Sequence, residues 1–168
     1  MSVIKNRMQV ADERIKLAVD NVLPLSALTE EQSHVQRTKN TILSETSWVS
    51  SELINSHQKT LTEHKSAVAS DWKRLGRVFS VNDGEREFFP AYQFDMEWQP
   101  LPVIKEILAQ LGDLADGWNI AAWFHFPNGW LSYRDKSGAV VSVAPKDALD
   151  RVEDVVVAAR KNRATYVA

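Results

Sequence analysis

The sequence predicts a mainly α fold with a small β-hairpin wing, and three observations predict it. Apolar residues recur at helical steps over most of the chain. The pair Asp83-Gly84 sits between two short apolar runs, as in a hairpin. Glycines and prolines fall where apolar stripes start and stop.

The first element is residues 3–23. Val3, Ile4, Met8, Ala11, Ile15, Ala18, Val19 and Val22 make an amphipathic helical stripe, suited to pairing with a second copy. Thr29 to Gln32 has the form of a capping box, which predicts a largely polar helix beginning after Thr29. Residues 47–57 are read as a short helix with Ser47 or Ser50 as N-cap. A helix over 63–76 follows, closed by Gly76. Val78 to Val81 is a strand, Asn82 to Glu85 a turn, and Arg86 to Phe89 the return strand, with Pro90 ending the pairing.

Pro102 opens a helix whose stripe is Val103, Ile104, Ile107, Leu108, Leu111 and Leu114. Trp118 to Phe126 is apolar nearly all round and reads as a short buried helix. Trp130 to Tyr133 and Ala139 to Val143 can pair as a second hairpin, and Pro145 opens a last helix. This order divides the chain into an N-terminal helical region (1–46), a hairpin-bearing module (47–94) and a C-terminal lobe (95–168).

Composition narrows the function. The 168 residues are 44% hydrophobic and 25% charged, which are globular proportions. A net charge of −2 gives no overall basic field, so any nucleic-acid contact must come from a local patch. There is no cysteine, which rules out disulfides and thiolate metal sites. No apolar run reaches the roughly 18 residues of a membrane span, and the first residues do not resemble a signal peptide. The expectation is a cytoplasmic protein that does not enter a membrane.

A local patch exists. Between His57 and Arg77, five cations (Lys59, Lys65, Lys73, Arg74, Arg77) face two acids (Glu63, Asp71). On a helical wheel Ser66, Ser70, Lys73, Arg74 and Arg77 fall within roughly 100°, while Val68, Trp72 and Leu75 lie opposite. One face packs and the other offers hydroxyls and cations to phosphates and base edges. Helix followed by hairpin is the order in which winged helix-turn-helix proteins dock on DNA. Lys65, Ser66, Ser70, Lys73, Arg74, Arg77 and, on the hairpin, Arg86 are therefore the candidate DNA-binding residues. Cations near a helix C-terminus are also favourable without any ligand. Asp83, Glu85 and Glu87 make the wing acidic, which suits a module that binds protein and not DNA.

The run Trp72-Lys73-Arg74-Leu75-Gly76-Arg77 leading into a hairpin resembles the small winged-helix modules of the MerR and excisionase type. A second resemblance covers about residues 89–160. Trp123, Pro127, Asn128, Leu131, Pro145 and Leu149 match positions of the toxin-binding domain of Xre/MbcA/ParS-type antitoxins. The polar stretch Ser132 to Gly138 is longer than that family's usual glycine turn, and the N-terminal part differs from its compact helix-turn-helix. The resemblance implies a homodimeric antitoxin that represses its promoter and sequesters a toxin, often an NAD-degrading RES-domain enzyme. It also implies toxin-facing residues on the closing helix and tail: Arg151, Arg160, Lys161 and Arg163.

No P-loop, nucleophile elbow or dinucleotide loop is present, and the four histidines show no metal-ligand spacing. His125, between Phe124 and Phe126, reads as a hydrogen-bonded core histidine. Asp147, Asp150, Glu153 and Asp154 suit the start of a helix. The sequence thus points away from an enzyme and from a cofactor, with a site assembled from distant residues as the remaining alternative.

Overall fold

The computed structural model describes residues 25–58, 68–112 and 116–166. The amphipathic stripe at 3–23 lies outside the described residues, as do Lys65 and Ser66; the side chain of Arg163 is also outside them. The chain divides into two compact units, Met1–Thr38 and Lys39–Ala168.

The described helices are α1 (Leu25–Glu45), α2 (Ser51–His57), α3 (Val68–Arg74), α4 (Pro102–Leu111), α5 (Gly117–His125) and α6 (Val152–Tyr166). Three short strands interleave with the early helices: β1 (Trp48–Ser50), β2 (Val81–Asp83) and β3 (Arg86–Pro90). The strands β4 (Asn128–Arg134) and β5 (Val140–Val143) form a separate antiparallel hairpin. The chain is mainly helical with a small β wing, as the sequence predicts.

α1 begins at Leu25, so Thr29 lies inside the helix and does not cap it. Residues 47–57 are not one helix. Trp48–Ser50 is a strand, and Ser50 then caps α2 by accepting from the Leu53 N–H. β1 pairs antiparallel with β3, and β2 pairs with β3 on its other side, in the order β1-β3-β2. The sequence order is therefore helix, strand, helix, helix, hairpin, with the first strand closing onto the hairpin. Gly84 takes the first place of the two-residue turn with φ 61°, which fits the type II′ geometry that matches strand twist. Pro90 ends β3, and the Ala91 N–H continues one step by donating to the Ser47 carbonyl at 2.8 Å.

Alternation along these strands sorts side chains into two cores. Val49 and Phe89 face α2 and α3, joining Ile54, Ala69, Trp72, Val78 and Phe94. Trp48, Phe88 and Val81 face the other way, toward Ile42, Ile104, Ile107, Phe124, Leu131 and Val155. Residues on both sides of position 95 share this second core, so α4, α5 and α6 pack as part of the same unit as the wing.

Val78 to Ser80 is buried but lies before the strand. The buried side chain of Gln93 acts as its neighbour. The Phe79 N–H donates to Gln93 Oε1 at 2.8 Å, and Gln93 Nε2 donates to the Phe79 carbonyl at 2.9 Å. Pro102 opens α4 and Asp116 caps α5 by accepting from the Trp118 N–H at 2.7 Å. Pro145 opens a single 3-10 turn, and the last helix starts later, at Val152.

Candidate nucleic-acid interface

α3 is positioned from both ends. At its start, the Ala69 N–H donates to Asn55 Oδ1 of α2 at 3.1 Å. At its end, the Gly76 N–H bonds the Lys73 carbonyl at 3.0 Å and the Arg77 N–H bonds the Trp72 carbonyl at 2.8 Å. These are the two bonds of a Schellman motif, and Gly76 supplies its left-handed residue at φ 64°. Ala69 and Trp72 point inward. The indole is 7% exposed and its ring lies 6.2 Å from that of Phe94.

The opposite side of α3 presents Ser70, Lys73 and Arg74, all exposed. Arg74 pairs with Asp71 at 3.3 Å, an exposed i,i+3 contact of little energetic weight. Arg77 does not extend this face. The Schellman turn carries it back over the residue it bonds, and its guanidinium sits 5.5 Å from the Trp72 ring centroid. Leu75 also departs from expectation. It is 51% exposed, because the helix ends at Arg74 and the wheel no longer applies.

The wing is tied to α3 by one carboxylate. Glu87 Oε1 accepts from Lys73 Nζ at 2.5 Å and from Ser80 Oγ at 2.7 Å. Partial desolvation pushes this carboxyl up, but the hydrogen bonds from Lys73 and Ser80 and the Lys73 charge outweigh it and hold it below its ordinary 4.5. Arg86 is exposed beside the turn. By strand alternation it lies on the Phe88 side of β3, opposite Glu87 and α3. The structure thus brings Ser70, Lys73 and Arg74 together, turns Arg77 onto Trp72, and sets Arg86 on the other face of the wing.

Of the cations read as partner-facing, Arg151, Arg160 and Lys161 are engaged within the chain. Arg151 precedes α6, bonds Asp154 at 2.7 Å and donates to the Ser132 carbonyl at 3.1 Å. Arg160 donates to Gln110 Oε1 at 3.2 Å, and Lys161 Nζ lies 4.9 Å from the Trp130 ring centroid. Sequence reasoning missed the apolar exposure beside them. On the second hairpin Trp130 is 55% exposed, Val140 62%, and Tyr133 is also exposed. The signal for it was present in the uncharged run Ala139 to Val143, which reads equally well as a buried strand.

His125 is buried. Its Nε2 lies 3.1 Å from Glu45 Oε2 and its Nδ1 lies 3.1 Å from Lys146 Nζ, so the imidazole joins a carboxylate to an ammonium. These residues border an open cleft of about 560 Å³ floored by Tyr133, Val141 and Val143. Among the described residues no group of three histidines and carboxylates could hold a metal ion, and no helix is long and apolar enough to cross a membrane.

No family model and no curated protein matches this chain. Among solved structures, the NMR structure of Rv2175c is similar, with a TM-score of 0.56 and 20% sequence identity. The match covers 71% of this chain and 82% of that one, and at this identity the likeness is one of fold.

Proposed function

We propose that the protein is a DNA-binding transcriptional regulator of antitoxin type, which contacts duplex DNA through the outward side of α3. The observation that carries this reading is the division of that helix. Trp72 is buried beneath the sheet while Ser70, Lys73 and Arg74 are exposed, next to a β ribbon in the order found in winged helices. The helix would lie in the major groove, with Arg74 on a phosphate, Lys73 facing the backbone beside it and Ser70 within reach of base edges. Two copies, joined through the stripe at 3–23, would match a two-fold operator. The second hairpin, with exposed Trp130, Tyr133 and Val140, would receive a partner toxin, such as an NAD-degrading enzyme. The resemblance supports a toxin partner but implies contact through the closing helix and tail; placing it on the hairpin rests on the exposed apolar side chains alone.

A second reading is a protein-interaction module without DNA contact. The acidic wing (Asp83, Glu85, Glu87) favours it, because carboxylates repel phosphates. Fluorescence anisotropy with the duplex upstream of its own gene separates the two. DNA binding through α3 requires affinity that falls steeply with salt, by about 0.9 log units per log unit of salt for each phosphate neutralised. Reversal of both Lys73→Glu and Arg74→Glu should abolish it. Binding that ignores salt, or survives the double reversal, refutes the α3 assignment. Co-purification with a co-expressed neighbouring gene product tests the toxin assignment separately.

A further inference from the structure

The wing's acidic residue Glu87 is not dispersed on the surface like Asp83 and Glu85. It is half-buried, and one of its oxygens accepts from both Ser80 and Lys73. Ser80 is buried in the segment leading into β2, Lys73 stands on α3, and Glu87 belongs to β3. Three elements of the winged module therefore meet at one carboxylate. Its partner Lys73 is one of the cations on the proposed DNA face, and the lysine side chain is 46% exposed while paired.

We propose that Glu87 is a positioning residue that restrains DNA affinity: it fixes Lys73 against the wing and neutralises it, so that this ammonium releases few counterions when the protein binds. This rests on the DNA-binding reading above. An ammonium held at 2.5 Å by a carboxylate must give up that partner, or share it, to reach a phosphate. Competition of this kind lowers non-specific binding, which is almost wholly electrostatic, more than binding that also reads bases. The same bond links α3 to the wing beside the buried packing of Trp72 and Phe89.

Three variants test the proposal in the full-length chain: E87Q, K73Q and the double variant. Glutamine keeps the shape of Glu87 and an oxygen that Ser80 and Lys73 can donate to, but carries no charge. Thermal unfolding first establishes the folded state of each. Anisotropy titrations with a random-sequence duplex are then run across a range of salt concentrations. E87Q should bind several-fold tighter than wild type at low salt, with the slope of log affinity against log salt steeper by about one. K73Q in the wild-type background should change the slope by less than half of that. In the double variant the gain of E87Q should disappear.

A slope for E87Q equal to wild type overturns the proposal while leaving the DNA reading intact. So does a double variant that keeps the steeper slope, since the charge would then act through the general field and not through Lys73. If neither wild type nor E87Q shows salt-dependent binding, the DNA reading itself falls, and the proposal with it.

Discussion

The α-carbon of Gly117 lies against the backbone of Ser80 so closely that a β-carbon at 117 would overlap the Ser80 carbonyl oxygen. The first turn of α5 is thereby pressed onto the segment that enters the wing. Beside it the Trp118 indole N–H donates to the Asn82 carbonyl at 3.0 Å, and its ring lies 6.3 Å from that of Trp48. Gly117→Ala must push α5 and the wing apart. It should destabilise the fold by about 1–3 kcal/mol, as overpacking does. Urea unfolding checks this, and an unchanged midpoint would show that the contact can relax freely.

Gln93 gives a second prediction. Its buried amide satisfies both the N–H and the carbonyl of Phe79. Gln93→Leu keeps the bulk but leaves two backbone groups without partners, at about 1–3 kcal/mol for each. Gln93→Glu should be at least as harmful at neutral pH, because a carboxylate has no N–H for the Phe79 carbonyl. Amide hydrogen exchange at Phe79 reads the loss directly: its protection should collapse in Q93L ahead of the protection of β4.

Trp72 is the floor of the proposed interface. Truncation to alanine removes a large buried ring and should cost about 3–5 kcal/mol, with loss of the cation–π contact to Arg77. Trp72→Phe should cost less and keep α3 in place. Denaturant titration of the two variants orders them, and equal stability for wild type and W72A would mean that the indole is not packed as described.

The Glu87 carboxyl also predicts a pH dependence. Its proton affinity is lower in the folded chain than its ordinary 4.5, so its contribution to stability is present above that value. The contribution is lost as pH falls through the folded value. The melting-temperature advantage of wild type over E87Q should therefore hold at neutral pH and shrink below about pH 4.5. A difference that stays constant down to pH 3 would place the stabilisation elsewhere.

Much of this was legible in the residues. Gly76 closes α3 at positive φ, Pro102 opens α4, and Gly84 makes the wing turn, because in each case local backbone chemistry decides the outcome. What the sequence hid depends on distant partners. Trp48–Ser50 is a strand because β3 lies alongside it, some forty positions later, and helical spacing in its neighbours masks that pairing. The capping pattern at Thr29 is outweighed by helix that already runs from Leu25. Arg77 belongs to the outward stripe on a helical wheel, yet the bonds that terminate α3 return it to Trp72. Lys73 was found by spacing, but the carboxylate that holds it could not be, since strand register decides that Glu87 and not Arg86 faces α3.

The most direct test of the account is an NMR titration of the isotope-labelled protein with a duplex from its own upstream region. If α3 is the reading element, backbone and side-chain shifts should move first at Ser70, Lys73 and Arg74 and at the wing turn around Gly84, while Trp130 and Val140 stay still. Shifts centred on the second hairpin, or none at any DNA concentration, would contradict it.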